Sequence, residues 1–436
     1  MKKVPDSNRP TIYICVEIKN REFYSQVLLA DYLVKSGFRC YLGTHAAIFA
    51  ILSSKKSKSG IFFDKGTLPE SKMKWVKTKC EFIAILDQEA GPAVNDASKA
   101  RAQVLTRLYP GSIPLIDRYF CIGPIIFREA KILFAEDSNK VRMTGWPRID
   151  FFRFFGQEVY KRQIQEIRRQ YGKFLLFVSD FPVINIKKQY TDDGEDFGTT
   201  VQLLHNAIES IKSWDANETV LPIIVRPHLM EDPRIWQSLL GKLTKTQVIK
   251  TLEITPWILA SEGIIHRGST SSIQAKLASK PIYFLESAAR INLDTPQVLL
   301  SDYVISTSKP PSPIVLSDAQ ARLEKASAIL NPLILLENNP AIFRVVRELV
   351  ALLTKSEPPI KLWNVLFSQV NFNAVKRVIG LLLHEMKWFF RFSVSPPYSA
   401  FVPEGLKRRE IEGILDSLGS RNIRIRFVTK NCWELS

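Results

Sequence analysis

The sequence has few cysteines and histidines, and neither residue falls into a disulfide or metal-binding pattern. Five of each are scattered along 436 residues, with no CxxC or HExxH spacing. An odd, dispersed set of cysteines indicates a reducing compartment and argues against a disulfide framework. The lack of a Cys/His cluster argues against a zinc site, and we expect no metal and no other cofactor.

Long hydrophobic runs are also absent. No window of about 18 apolar residues is free of charge, and the nearest, Val378–Phe390, contains His384, Glu385 and Lys387. The opening residues MKKVPDSNRP contain prolines that interrupt the apolar region of any signal peptide. The sequence therefore predicts a chain that neither spans a membrane nor is secreted, and a cytoplasmic location.

Positive charge is what the sequence has in excess. Lys and Arg number 60 against 43 Asp and Glu, a net charge of +17, while 46% of residues are apolar and 24% charged. The composition is typical of a folded globular protein, and the charge favours anionic partners such as nucleotides, nucleic acid or a membrane surface. Nucleic acid is disfavoured, because the chain has no RNP-type aromatic sheet, recognition helix or long basic tract.

Two stretches of the chain alternate short apolar strands with helical patterns, which predicts α/β units with parallel sheets. We place the domains at 1–150 and 173–355, joined by a connecting helix at 151–172 and followed by an aromatic, basic tail at 356–436. The predicted strands are Ile12–Ile18, Phe38–Leu42, Phe82–Leu86, Tyr119–Ile122 and Val141–Thr144, then Phe174–Val178, Leu221–Val225, Ile264–His266, Ile282–Phe284 and Tyr303–Ile305, and an arginine-rich strand in the tail, Arg421–Phe427.

Charged residues follow two strands of the first stretch, at the sheet edge where open α/β sheets bind ligands. Arg21 and Glu22 come shortly after the first strand, and they either line a cleft or cap the next helix. Asp87 and Glu89 follow the strand FIAIL directly. That pair could supply a nucleophile, a general base or acceptors for a sugar; the alternative is a solvated turn with a helix cap.

Two further motifs follow strands of the second stretch. Arg226, His228 and Glu231 come after LPIIV, and arginine and histidine there can donate to phosphate or ribose oxygens. A second motif, HRGSTSS, begins at His266 and continues into a helical pattern. Its Gly268 and the hydroxyl residues Ser269, Thr270 and Ser271 predict an anion cradle at a helix N-terminus. Ordinary N-capping by Ser269 or Thr270 is the alternative, and the lysine pattern of a P-loop is absent.

Together these motifs resemble those of surface carbohydrate biosynthesis proteins. These are GT-B glycosyltransferases, distantly related to capsule β-Kdo transferases and to polyol-phosphate polymerases that use CDP-linked donors. The resemblance rests on RPHLMED at 226–232 with PWILAS…HRGSTSSIQAKLASKPI at 256–282, and covers roughly residues 12–360. Arg21-Glu22, the acidic turn at Asp87–Glu89 and TGWPRID at 144–150 also match.

The resemblance implies two Rossmann-like domains facing across a cleft, without a required metal. The C-terminal domain would bind the nucleotide through Arg226, His228 and Glu231, and its phosphate through Gly268 to Ser271, with His266 also on the donor side. The acidic turn would face the transferred sugar, with Asp87 or Glu89 as the catalytic carboxylate and Arg21 and Glu22 on the acceptor side. The tail would pack back on the first domain.

The favoured function is transfer of a sugar from a nucleotide-activated donor, of the CMP-Kdo type, to a glycan or lipid-linked acceptor. Such an acceptor lies on an anionic membrane, which the basic, aromatic tail could contact peripherally at the inner face. Transfer of polyol phosphate from a CDP donor is one alternative. A non-catalytic basic scaffold or nucleic-acid-binding protein on the same fold is another.

Overall fold

The structure is a computed structural model that describes residues 9–89, 96–181, 194–229, 231–287, 294–312, 319–354, 402 and 404–436. These residues form two compact units. Unit 1 contains the described parts of 1–91, 96–148 and 334–436, and unit 2 contains those of 149–333.

The strands and helices alternate along most of the chain. The strands are β1 Thr11–Cys15, β2 Arg39–Gly43, β3 Ile61–Asp64, β4 Phe82–Leu86, β5 Arg118–Cys121, β6 Val141–Met143, β7 Leu175–Val178, β8 Ile223–Arg226, β9 Gln247–Val248, β10 Gly263–His266, β11 Ile282–Leu285, β12 Tyr303–Ile305, β13 Ile425–Thr429 and β14 Cys432–Leu435. The α-helices are α1 Lys19–Lys35, α2 His45–Ser54, α3 Glu70–Lys79, α4 Ala97–Arg107, α5 Pro124–Phe134, α6 Gly156–Val159, α7 Lys161–Tyr171, α8 Gly194–Asp215, α9 Pro233–Leu240, α10 Ile254–Ala260, α11 Ser271–Leu277, α12 Pro296–Leu299, α13 Ala319–Leu330, α14 Ala341–Thr354 and α15 Arg408–Ser417.

Unit 1 is built on one eight-stranded sheet with the order β13-β14-β2-β1-β3-β4-β5-β6. The first six strands of the chain pair in parallel, and the C-terminal hairpin β13–β14 adds antiparallel to the free edge of β2. Strands β1 and β3 are apolar runs buried on both faces, as parallel strands covered by helices must be. Gly60 precedes β3 at φ +79°, where an added Cβ would meet the carbonyl oxygen of Thr11 at 2.4 Å.

Unit 2 contains a six-stranded parallel sheet with the order β12-β11-β10-β7-β8-β9. One face is covered by α8 and α9, which place Trp214 and Trp236 in a core with Phe177. Because all six strands run in parallel, their carboxyl ends lie at one edge. In both units, the residues that follow the parallel strands therefore gather at a single edge of the sheet.

Most strands predicted from the sequence are confirmed within a residue or two, and Phe82–Leu86 and Tyr303–Ile305 agree at both ends. The pattern missed β3, β9 and β14. The connecting segment predicted at 151–172 is helical, with a π-helical turn at Phe151–Phe155 before α6 and α7. The aromatic part of the tail, residues 355–401, lies outside the described residues.

One domain boundary differs from the prediction. The sequence placed residues up to 355 in the second domain, whereas the structure places 334–354 in unit 1. The physical reason is packing of α14. Phe343 makes an edge contact with the Tyr32 ring of α1 at 4.8 Å, and Arg344 Nε donates to the carbonyl oxygen of Thr144 at 2.6 Å.

Over the part of the chain that the structure describes, no helix has both the length and the apolar character needed to cross a bilayer. All five cysteines are buried as free thiols. Burial raises the pKa of the Cys15 and Cys121 thiols well above their ordinary value. These thiols therefore stay protonated, as in ordinary core cysteines, unless a metal ion displaces the proton.

Candidate functional site

Lys65 lies at the centre of a charged cluster at the carboxyl edge of the unit 1 sheet. Its ammonium group contacts carboxylates of Glu17 at 2.9 Å, Glu22 at 3.1 Å and Glu89 at 3.0 Å. The side chain is only 4% exposed. Burial by itself would lower the pKa of Lys65, but the three carboxylates raise it, so Lys65 is a fixed cation within the cluster.

Glu89 is held by three cations. Its carboxylate contacts Lys65 at 3.0 Å, Arg21 at 3.2 Å and Arg107, from the end of α4, at 3.3 Å. Burial would raise the pKa of Glu89, but Lys65, Arg107 and Arg21 lower it to about 2. Glu89 is therefore ionised throughout the neutral range, and its side chain keeps 30% of its surface exposed.

Asp87 has a different environment. The residue is fully buried, and its carboxylate accepts hydrogen bonds from the Tyr119 hydroxyl at 3.0 Å and the Glu89 backbone N–H at 3.0 Å. These bonds fix the turn that presents Glu89. Of the two carboxylates predicted from the sequence, Glu89 is the one that solvent can reach; the Gly91-Pro92 end of the turn lies outside the described residues.

Arg21 and Glu22, predicted together on the acceptor side, separate in their contacts. Glu22 is buried, and its carboxylate accepts backbone N–H groups of Glu17 at 3.1 Å and Ile18 at 3.3 Å. It therefore closes the loop at the start of α1, in agreement with the helix-capping alternative. Arg21 remains partly exposed beside Glu89.

A second group of chemically active side chains lies at the same edge. Cys15 ends β1, His45 follows β2 and Asp64 ends β3. Among the described residues this is the one Cys/His/carboxylate group whose ligand atoms, one from each residue, lie within 4.8 Å of one another. His45 Nε2 lies 2.7 Å from Asp64 Oδ2, and Asp64 Oδ1 accepts the backbone N–H of Lys65 at 2.8 Å.

In unit 2, Arg226 ends β8 and is only 7% exposed. Its guanidinium donates to the carbonyl oxygens of Ile249, Thr251 and Leu252 and lies 5.6 Å from the centre of the Trp257 ring. Burial lowers the pKa of Arg226 to about 9. In this structure Arg226 therefore holds the 249–252 loop against the sheet.

Glu231 also makes its hydrogen bonds within unit 2. Its buried carboxylate accepts hydrogen bonds from the Ser179 hydroxyl at 2.6 and 2.7 Å, the Phe181 backbone N–H at 2.6 Å and the Trp236 ring N–H at 2.6 Å. It thus ties the residues after β7 to α9. His228 is half-buried in the loop between Arg226 and Glu231.

His266 supports the glycine turn that follows β10. The Gly268 backbone N–H donates to His266 Nδ1 at 3.1 Å, so Nδ1 carries no proton and Nε2–H donates to the Ser301 hydroxyl at 3.0 Å. The ring is fully buried, and burial lowers the pKa of His266 to about 3. A neutral, buried imidazole orients the turn instead of carrying charge to a ligand.

Gly268 has φ +153° and precedes α11. An added Cβ there would lie 3.9 Å from Asp180 Oδ2. Ser269 and Thr270 are reachable by solvent, whereas Ser271 is 8% exposed. The Ser269 hydroxyl accepts the Ser271 backbone N–H at 3.3 Å, whereas Thr270, the N-cap residue of α11, makes no side-chain capping bond.

Arg267, between His266 and Gly268, is the buried cation of this motif. Arg267 is 4% exposed, and its Nη1 donates to the carbonyl oxygen of Leu203 at 3.1 Å. Its Nε and Nη2 have no hydrogen-bond partner within the described part of the chain. Burial lowers the pKa of Arg267 to about 10, with Asp180 opposing that shift, and burial raises the pKa of Asp180 to about 6.

Sequence reasoning missed several residues of these two edges. His45 lies two residues after β2, and the strand-end rule could have found it. Asp64 ends β3 and Lys65 follows it, and the same rule could have found both had the short run IFFD been recognised as a strand. Arg267 stood inside the motif but was not singled out. Arg107 and Tyr119 had no sequence signal, because helix and strand packing alone brings them to Glu89 and Asp87.

No family model matches the chain, and comparison with curated proteins found no match. Solved structures do match. A UDP-N-acetylglucosamine 2-epimerase aligns with TM-score 0.52 and 14% identity over 84% of this chain and 100% of its own. A putative UDP-N-acetylglucosamine 2-epimerase from Listeria monocytogenes gives 0.50 and 11% over 82% and 100%.

The wall teichoic acid polymerase TagF aligns with TM-score 0.50 and 12% identity over 79% of this chain and 89% of its own. At these identities the similarities concern the fold. They show a GT-B fold with two Rossmann-like domains, so the α/β fold class predicted from the sequence is confirmed.

Proposed function

We propose that the protein transfers a sugar from a nucleotide-activated donor to a glycan or lipid-linked acceptor in surface polysaccharide synthesis. The observation that carries the proposal is Arg267. A buried guanidinium of which two nitrogens bond to no described residue, beside a glycine turn, is costly unless an anion completes it. The carboxyl edge of a parallel sheet is where a nucleotide phosphate binds.

In this proposal unit 2 binds the donor nucleotide. Arg267 contacts its phosphate as a fork-like donor, with Gly268, Ser269 and Thr270 lining the same turn. His228 lies on the neighbouring loop and serves as a donor to the nucleotide. Arg226, Glu231, His266 and Ser271 act as positioning residues, since each is buried and bonded within the unit.

Glu89 is the proposed catalytic carboxylate of unit 1. Glycosyl transfer develops positive charge on the sugar and negative charge on the leaving phosphate. A carboxylate with a pKa of about 2 is ionised and suits a nucleophile or a charge stabiliser. It is too weak a base for proton abstraction at neutral pH, which favours sugar transfer over the polyol-phosphate alternative, where the carboxylate would act as general base.

An acidic sugar is favoured by the resemblance of the sequence motifs to those of capsule β-Kdo transferases. Lys65 is already matched by three carboxylates, but Arg21 and Arg107 beside Glu89 keep 32% and 26% of their side chains exposed and could also contact the carboxylate of an ulosonic acid. A CMP-linked ulosonic acid is therefore the favoured donor. The UDP-N-acetylglucosamine 2-epimerases that share the fold make nucleotide-sugar epimerisation a second candidate.

The test is thermal unfolding with CMP, CDP, UDP, GDP or ADP at millimolar concentration. A ligand at about 100 times its Kd stabilises by about 2.7 kcal/mol, so a donor nucleotide should raise Tm. Selective stabilisation by CMP supports the Kdo-type transferase, and preference for CDP supports polyol-phosphate transfer. Stabilisation by UDP or GDP points to a conventional sugar donor. If UDP stabilises the protein and the sugar of a UDP-linked donor is converted without any acceptor product, the reaction is epimerisation.

Arg267→Gln should lose the nucleotide shift, because it removes the phosphate contact. The control is Arg234→Gln in the same unit, where the side chain is 85% exposed and pairs with Asp232; it should keep the shift. If no nucleotide raises Tm in the unmodified protein, the donor site is disproved and the scaffold alternative moves ahead. Detection of phosphorus in the acceptor product would distinguish polyol-phosphate transfer from sugar transfer.

A further inference from the structure

Three potential metal ligands meet at the ends of neighbouring strands in unit 1. The sheet order places β1 between β2 and β3. Cys15 is the last residue of β1, Asp64 is the last residue of β3, and His45 begins α2 directly after β2. Parallel pairing therefore brings a thiol, an imidazole and a carboxylate to one edge, although Cys15 and Asp64 are 49 positions apart in the sequence.

We propose that Cys15, His45 and Asp64 bind one Zn²⁺ ion. One atom from each residue lies within 4.8 Å of the other two. Tetrahedral zinc with bonds of about 2.0–2.3 Å sets its ligand atoms ~3.5 Å apart. The group is therefore within about 1.3 Å of the required spacing, and side-chain rotation supplies the remainder.

The ligand set also balances the charge of the ion. Zinc binding replaces the Cys15 thiol proton, which leaves to solvent, so the thiolate and the Asp64 carboxylate together neutralise Zn²⁺ beside a neutral His45 imidazole. Cys15 and Asp64 are 1% and 2% exposed. A neutral complex is the form of a metal site that such a buried location tolerates.

The chemistry of the ligands selects the metal. Magnesium and calcium prefer sites made of oxygen ligands, whereas a mixed sulfur, nitrogen and oxygen set is typical of zinc. Three protein ligands leave one position, which a water molecule can fill from the side where His45 is 18% exposed.

The second coordination shell is already in place. Asp64 Oδ1 accepts the Lys65 backbone N–H at 2.8 Å, and Oδ2 pairs with His45 Nε2 at 2.7 Å. Zinc takes the place of the hydrogen between Oδ2 and Nε2, which moves to Nδ1 of the neutral imidazole. Outer contacts such as the Lys65 N–H orient ligands. This inference concerns unit 1 alone and does not rest on the proposed sugar transfer.

The experiment uses the full chain without a histidine tag, stripped with a chelator and incubated with Zn²⁺. After desalting, elemental analysis should give one Zn²⁺ per chain. Co²⁺ in place of Zn²⁺ should give a thiolate-to-metal charge-transfer band in the near ultraviolet. Cys15→Ser should abolish that band, and Asp64→Asn and His45→Gln should weaken metal binding by at least ~100-fold, because even loss of an outer-shell partner costs 10–100-fold.

The matched control is Cys40→Ser, a buried cysteine on neighbouring β2 that is outside the group; it should keep full metal content and the band. Circular dichroism checks that each variant is folded, and Asp64→Asn tests the site should Cys15→Ser fail to fold. The proposal is overturned if the desalted protein retains no Zn²⁺, or if a folded Cys15→Ser or Asp64→Asn variant binds as the unmodified protein does. Nucleotide stabilisation measured with and without chelator reports on the donor site separately.

Discussion

At the scale of single residues, two carboxylates two positions apart have opposite environments. Asp87 is buried and bonded to Tyr119, while Glu89 remains 30% exposed among three cations. The sequence could not separate them, because the difference arises from Lys65 and Arg107, which come from other parts of the chain. Their surroundings divide the roles: Asp87 shapes the turn and Glu89 carries the accessible charge.

We therefore predict that Glu89→Gln lowers turnover of the nucleotide-sugar donor by about 10²–10³, the usual effect of removing one transition-state contact. Nucleotide stabilisation in unit 2 should be unchanged, because the substituted residue lies in unit 1. The control is Glu81→Gln, just before the amino end of β4. Undiminished donor turnover in Glu89→Gln, measured as released nucleotide, would contradict the assignment.

Asp215 gives a prediction about stability and pH. Its carboxylate accepts the Thr244 N–H and hydroxyl at 2.8 Å each, the Lys245 N–H at 2.9 Å and the Thr246 N–H at 2.8 Å. Burial would raise the pKa of Asp215, but these bonds lower it to about 2. Since an unfolded Asp has a pKa near ~3.9, its contribution is complete above about pH 4 and is lost as pH falls toward 2.

Asp215→Asn should lower the free energy of unfolding at pH 7 by about 1–3 kcal/mol. The difference from the unmodified protein should shrink between about pH 4 and pH 2, as protonation removes the same charge. Urea unfolding at a series of pH values measures both. Glu209→Gln, whose side chain is 68% exposed, is the control, and a difference that stays constant down to pH 2 would refute the argument.

At the scale of elements, the C-terminal hairpin determines how the unit 1 sheet ends. Strand β14 pairs antiparallel with β2 and extends a sheet that is otherwise parallel. Cys432 and Leu435 of β14 are fully buried, while Phe427 on the outer strand β13 is 60% exposed. The hairpin therefore covers the open edge of β2, which would otherwise present unpaired backbone groups.

Leu435→Ala should consequently lower the free energy of unfolding by about 2–4 kcal/mol, because it leaves a cavity beneath the hairpin. Phe427→Ala is the matched change on the exposed strand. It should cost about 1 kcal/mol or less, the size of its edge contact with Trp433. Chemical unfolding of the two variants side by side measures the difference, and equal costs would show that the hairpin is not part of the core.

The elements found from the sequence were those with strong local signals. Strands such as Phe82–Leu86 are apolar runs followed directly by polar turns, which is enough to recognise them. Strand β14 is the four-residue segment CWEL, which contains a charged glutamate, and β9 is two residues long. Neither pattern is long enough to stand out, and both strands are stable only because a neighbour supplies hydrogen bonds.

At the scale of the whole molecule, the net charge of +17 predicts attraction to an anionic lipid surface. Each Lys or Arg near such a surface contributes about 1 kcal/mol. The protein should sediment with vesicles containing phosphatidylglycerol and not with phosphatidylcholine alone, and raised salt should release it. Equal binding to both vesicles, or no binding to the anionic ones at low salt, would refute peripheral association.

The sequence by itself determined the α/β class, the order of most strands and the strand-end positions of the charged motifs, because these depend on local hydrophobic pattern. Only the tertiary structure decided which residues meet. Parallel pairing places Cys15, His45 and Asp64 together, and packing buries Arg267 with two nitrogens that bond to no described residue. Packing also gives Arg226 its hydrogen bonds to backbone carbonyl groups of unit 2, and it places residues 334–354 in unit 1. Such contacts join residues distant in the chain, and no local pattern encodes them.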